Sequence, residues 1–143
     1  MSDAWMIYGA NGYTGRLIAQ EAKRRGLTPI LAGRNGPEIR QMGVQLGLET
    51  RIFTLVDAAL VARHLSGVAA VLHCAGPFSA TSAPMLAGCL HARSHYLDIT
   101  GEIAVFEAIF ARAAEFKQAG IVVMPGVGFD IVPSDGLGLF QRA

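Results

Sequence analysis

The residues best suited to chemistry lie near the amino end, in Gly9-Ala10-Asn11-Gly12-Tyr13-Thr14-Gly15. This is a GxxGxxG variant of the commoner GxGxxG: aligned on Gly12 and Gly15, Ala10 stands where the first glycine is usual, and Gly9 lies one residue further back. Glycines at such a turn let the backbone bend tightly and approach a pyrophosphate. A helix starting just beyond them offers free N–H groups and the positive end of its dipole to the anion. A tight strand-to-helix turn also needs glycine for purely structural reasons, so the context decides. Here an apolar run, Ala4 to Tyr8, precedes the loop, and helical spacing follows from Tyr13 to Arg25, with Gly26 as its stop.

Further candidates recur at regular intervals. Gly33-Arg34-Asn35 follows the second apolar run, where a site for NAD keeps an acid for the ribose hydroxyls. No acid stands there, and Glu38, the next one, falls inside the following helix. Arg34 presents a fork of donors suited to a 2′-phosphate, so the position points to NADP over NAD. An exposed loop arginine is its plain alternative. Asp57 follows the third run and caps the next helix; a place beside the adenine amino group is a second role open to it. His73-Cys74-Ala75-Gly76-Pro77-Phe78 ends the fourth run, at the edge where the nicotinamide half would pass, and small Ala75 and Gly76 leave room for a ribose. Asp98 and Glu102 flank the end of the fifth run. They could move a proton, but capping the helix from Ile103 is the favoured reading. Asp130, after Gly126-Val127-Gly128-Phe129, is a weaker candidate for substrate or interdomain contact.

Other chemistries are excluded directly. Tyr8, Tyr13 and Tyr96 are followed four residues on by Gly12, Leu17 and Thr100, so the Tyr-x-x-x-Lys pair of short-chain dehydrogenases is missing. GxxxxGK[ST] and GxSxG are missing too, which argues against a P-loop nucleotidase and an α/β-hydrolase. Arg34 stands where a methyltransferase would hold an acid. His91 and His95 are four apart, but Ser94 and a new strand separate them, so no metal pair is expected.

These motifs need a frame that sets them on one edge. Strands are expected at Ala4–Tyr8, Thr28–Ala32, Arg51–Leu55, Ala69–Cys74, His95–Ile99 and Ile121–Met124. Between them fall helices at Tyr13–Arg25, Pro37–Leu46 (started by Asn35 or Gly36), Asp57–Leu65, from a Thr81 or Ser82 cap to Arg93, and Ile103–Gln118. A last helix is expected from a Ser134 cap to the chain end. Strands alternating with helices imply βαβ units and a parallel sheet. With right-handed crossovers this becomes a Rossmann-like, doubly wound α/β sheet of about six strands in order 3-2-1-4-5-6.

Composition agrees. The 143 residues suit one domain, and 52% hydrophobic with 16% charged residues excludes a disordered chain. A net charge of +1 gives no field to attract nucleic acid or an anionic membrane, and no apolar run approaches the ~18 residues of a membrane span. Cys74 and Cys89 form neither CxxC nor zinc spacing, and no signal peptide is evident, so a reduced cytoplasmic protein is expected. The sheet finishes near Met124 and something new starts at Pro125, which suggests a domain cut from a longer protein.

Taken together, GANGYTGRLIAQEAKRRGL, LAGRN, HCAGPFS, HYLDITGE and MPGVGFDIVPSD resemble the saccharopine dehydrogenase-like family, in the branch of the trans-acting enoyl reductases, from about Trp5 to Gly138. The resemblance implies an NADP-binding domain at the amino end of a hydride-transferring oxidoreductase. It would place Gly9, Asn11, Gly12, Tyr13, Thr14 and Gly15 at the pyrophosphate, Arg34, with Asn35 beside it, at the adenosine phosphate, and Ala75, Gly76 and Pro77 near the nicotinamide. It further implies a second, mixed-sheet domain that shapes the substrate pocket and often a homodimer contact; these 143 residues lack it, and the small-molecule substrate stays open. A non-catalytic NADP sensor or interaction module is the alternative, because fold does not decide function.

Overall fold

A computed structural model describes residues 4–140. Among them six strands form one all-parallel sheet: β1 (Trp5–Tyr8), β2 (Ile30–Gly33), β3 (Thr50–Ile52), β4 (Ala70–His73), β5 (His95–Asp98) and β6 (Val123–Met124). Their order is β3-β2-β1-β4-β5-β6, as the alternation of strands and helices predicts. The direction of winding reverses between β1 and β4, which are direct neighbours with Tyr8 opposite His73. Loops after β1 and β4 therefore open a crevice at the carboxyl edge of the sheet, the usual ligand position in such folds.

The central strands are apolar without interruption because helices cover both faces. Successive side chains alternate: Met6, Tyr8, Ile30 and Ala32 enter one core, whereas Ile7 and Leu31 enter the other. Helices α1 (Tyr13–Arg24) and α2 (Gly36–Leu46) close the second core with Ala19, Ile39 and Met42. The first is covered by α3 (Ala58–His64), α4 (Phe78–Ala92), α5 (Ile103–Phe110) and α6 (Ala113–Ala119). Close packing of α3 on α4 depends on Gly88, where a Cβ would stand 2.2 Å from Val61 Cγ1.

Several element boundaries differ from expectation. Helix α4 starts at Phe78, behind Pro77, so Thr81 lies within its first turns, Ser82 is buried and Pro84 sits inside it. The cap comes from outside the helix: the Glu102 carboxylate accepts from the backbone N–H of Phe78 (2.7 Å) and Ser79 (2.9 Å). Next, the long helix expected over 103–118 divides into α5 and α6 at Ala111 and Arg112. Finally, α7 (Val132–Phe140) begins before Ser134, whose hydroxyl bonds back to the carbonyls of Asp130 and Ile131 instead of capping. No helix of the described residues is long and apolar enough to cross a membrane.

Candidate functional site

The glycine loop after β1 is drawn tightly onto the sheet. Gly9 and Ala10 both donate to the carbonyl of Ala32, at 2.8 and 3.1 Å, and Gly12 donates to Gly9 at 3.0 Å. Gly9 has φ +82°, a conformation that favours glycine, and a Cβ there would press on Ala75 at 2.9 Å. At Gly15 a Cβ would lie 2.3 Å from the Gly9 carbonyl oxygen. These two positions need glycine to bring loop and helix together.

What the loop presents is an open helix end. Gly12 is the N-cap of α1; it supplies no side-chain cap, and the first turn holds no acid. The N–H groups of Tyr13, Thr14 and Gly15 have no acceptor within the helix. The helices beside it are treated differently. Asn35 caps α2 through Glu38 N, Asp57 caps α3 through Ala59 N at 3.0 Å, and Glu102 covers the start of α4. Of these helix starts, that of α1 is the one left without a side-chain cap, and an anion would fit there. This is the observation that makes the residues fit a pyrophosphate.

In front of this helix end lies a cleft of about 560 Å³. It brings together Gly9, Asn11 and Gly12 from the first loop, Arg34 and Asn35 from the second, and Ala75 and Gly76 from the fourth. Tyr13, Thr14 and Gly15 form the adjacent helical turn, with Tyr13 84% exposed. Pro77, joined to Gly76 by a cis peptide bond, is the N-cap of α4. Asp57 is exposed, lies outside the lining and keeps its carboxylate on Ala59 N, so capping is the role its contacts support.

Several lining residues were not legible as site residues. Thr54, Leu55 and Val56 form one wall, because β3 ends at Ile52 and not at Leu55. Tyr8 lines the floor, its hydroxyl donating to the Phe53 carbonyl at 3.0 Å; burial pushes its pKa up to about 12, against the pull of the Arg34 charge. Glu38 ties the loops after β1 and β2 together. Its carboxylate accepts from Asn11 (3.2 Å) and Asn35 (2.5 Å) and lies 3.7 Å from the Arg16 guanidinium. No sequence spacing signals that link, which joins residues 27 apart.

Asp98 and Glu102 prove to be architectural. The fully buried Asp98 accepts from the Tyr96 hydroxyl (2.7 Å), Thr100 N (3.0 Å) and Gly126 N (2.9 Å), which fastens the ends of β5 and β6. Burial and this carboxylate push the Tyr96 pKa upward. Glu102 caps α4 rather than its own helix, and its bonds to Ser79 and Phe78 hold its pKa below the ordinary range. Cys74 lines the cleft, but burial first, then the Asp98 charge, push its thiol up to about 12, so it stays protonated.

With this geometry in place, comparison with known proteins is informative. Residues 5–124 match the saccharopine dehydrogenase NADP binding domain. A trans-acting enoyl reductase of Mycobacterium tuberculosis is 31% identical over 144 residues, covering 95% of this chain and 34% of the relative. One from Mycobacterium leprae is 32% identical over 149 residues, with the same coverage. The chain therefore spans about a third of the length of the curated relatives it matches. Among solved structures, apo saccharopine dehydrogenase (L-Glu forming) from Saccharomyces cerevisiae shares the fold with a TM-score of 0.74 at 15% identity, covering 89% of this chain and 27% of that one. The Citrobacter triphenylmethane reductase complexed with NADP(H) gives 0.66 at 17% identity, over 85% of this chain and 48% of that one. The glycine loop, the strand order and the match over residues 5–124 converge: the chain belongs to the saccharopine dehydrogenase NADP-binding domain family.

Proposed function

We propose that this chain is the amino-terminal cofactor domain of a longer, two-domain oxidoreductase, and that it binds NADP in the cleft between the first, second and fourth loops. The uncapped α1 terminus carries this reading, since it is the helix start beside the cleft that no side chain of the described residues occupies. The pyrophosphate lies against Gly9, Asn11 and Gly12 and the first turn of α1. Arg34, exposed at the cleft's second wall, takes the adenosine 2′-phosphate, with Asn35 beside it. Ala75, Gly76 and Pro77 border the nicotinamide half.

NADPH supplies a hydride when bound, and the protein's share is binding and orientation. The cleft's own proton carriers are already committed: Tyr8 bonds Phe53, Cys74 stays protonated, and Thr81 donates to a backbone carbonyl. Proton transfer and substrate binding therefore fall to the rest of the longer protein. Its substrate is an activated alkene, as the names of the enoyl reductase relatives suggest, or a carbonyl or imine of similar polarity. Its compartment is the cytoplasm, which fits two free thiols.

Arg34→Ala tests the phosphate assignment. A charge-assisted contact is worth about 1.5–3 kcal/mol, so NADPH is expected to bind roughly ten- to a hundredfold more weakly. NADH binding is expected to be unchanged. Parallel titrations by calorimetry read both, and equal losses would contradict the assignment.

A further inference from the structure

His73, at the end of β4, has a fully buried ring packed between Tyr8, Phe78 and Tyr96, with centroids at 5.6, 5.3 and 6.0 Å. Its Nε2 lies 3.0 Å from the Thr81 hydroxyl oxygen. Its Nδ1 is the one buried side-chain nitrogen or oxygen among the described residues with no hydrogen-bond partner. Burial pushes its pKa down to about 3, so the imidazole is neutral.

The Thr81 hydroxyl also lies 2.6 Å from the Ala75 carbonyl oxygen and 3.0 Å from that of Pro77. A carbonyl can only accept, and the hydroxyl has a single proton. The shorter contact assigns that proton to Ala75. Nε2 must then carry the histidine's proton and donate it to Thr81, which leaves Nδ1 as a bare lone pair. An apolar residue at position 73 would avoid an orphaned polar atom, whose burial is unfavourable. What the histidine provides instead is direction: it turns the Thr81 hydroxyl toward the loop.

Thr81 and Ala75 both line the cleft. We propose that His73 and Thr81 form a positioning relay that fixes the Ala75 carbonyl as the acceptor for the nicotinamide nucleoside. This rests on the cleft's reading as the NADP site. A carbonyl oxygen has two lone pairs; Thr81 takes one, and a ribose hydroxyl or carboxamide N–H of the cofactor takes the other. Both are positioning residues, acting through a backbone atom.

Thr81→Val removes the relay at nearly constant size, and Thr81→Ser retains it. NADPH binding is compared with that of adenosine 2′,5′-bisphosphate, which carries only the adenosine half. Thr81→Val is expected to weaken NADPH about tenfold, the equivalent of one hydrogen bond, and to leave the bisphosphate unchanged. Thr81→Ser is expected to restore NADPH binding. Equal weakening of both ligands, or no rescue by serine, would overturn the relay. Failure of the wild-type chain to bind either ligand would overturn the NADP reading itself. Nitrogen-15 spectra of the wild-type chain give a test independent of any variant's folding: the relay requires a neutral His73 with its proton on Nε2, and a proton on Nδ1 contradicts it.

Discussion

Gly15→Ala is expected to weaken NADPH binding by at least about a hundredfold, an effect near 2.7 kcal/mol. The added methyl would meet the Gly9 carbonyl oxygen at 2.3 Å and the Ala10 Cα at 2.9 Å. Both are backbone atoms of the loop, so no side chain can rotate away. Restoring ordinary contact distances needs a shift of about 1 Å, and that shift carries the α1 terminus off the loop. Alanine stands at the third position in many dinucleotide fingerprints, so the prediction is specific to the tighter GxxGxxG turn. Gly12→Ala gives the internal comparison: its methyl would meet the same carbonyl at 3.2 Å, and it is expected to cost much less stability. Calorimetric titration with urea unfolding of both variants checks this. A Gly15→Ala chain that binds and folds like wild type would contradict the account of the loop.

The second large effect is on stability in acid. His73 titrates at about 3 in the folded chain because burial disfavours its charged form, whereas an unfolded histidine titrates near ~6.5. Between these values the unfolded chain holds a proton that the folded chain lacks. Stability therefore falls as pH drops through this window and is intact above it. Summed over the window this is roughly 5 kcal/mol, a large part of the 5–15 kcal/mol typical of a domain. From pH 7 to 4.5 the expected loss is about 2–3 kcal/mol. His73→Leu removes the titrating group, so its urea midpoint is expected to change far less over that range. Equal pH dependence in both chains would show that His73 is not the source.

Much of the fold was legible because its causes are local or periodic. Short apolar runs at Ile7 and Leu31 mark strands buried on both faces, and Gly26, Gly47 and Gly120, all at positive φ, mark helix ends. Asp57 was legible as a cap because it bonds a residue two positions away. What escaped the sequence was action across distance. The start of α4 depends on Glu102, 24 residues on, and without it Thr81 or Ser82 is the more natural cap. For the same reason Thr81 was misplaced as a cap, when its hydroxyl serves the Ala75 carbonyl and the buried His73. The tight glycine turn was legible from its motif, but not the role of Glu38 in fastening Asn11 to Asn35.

The central proposal is that the open α1 terminus and Arg34 together select a 2′-phosphorylated dinucleotide. Its most direct test is titration of the chain with NADPH and with NADH under identical conditions, followed by nicotinamide fluorescence and calorimetry. The account predicts NADPH binding tighter by roughly ten- to a hundredfold. Equal affinity for the two, or tighter binding of NADH, would contradict it.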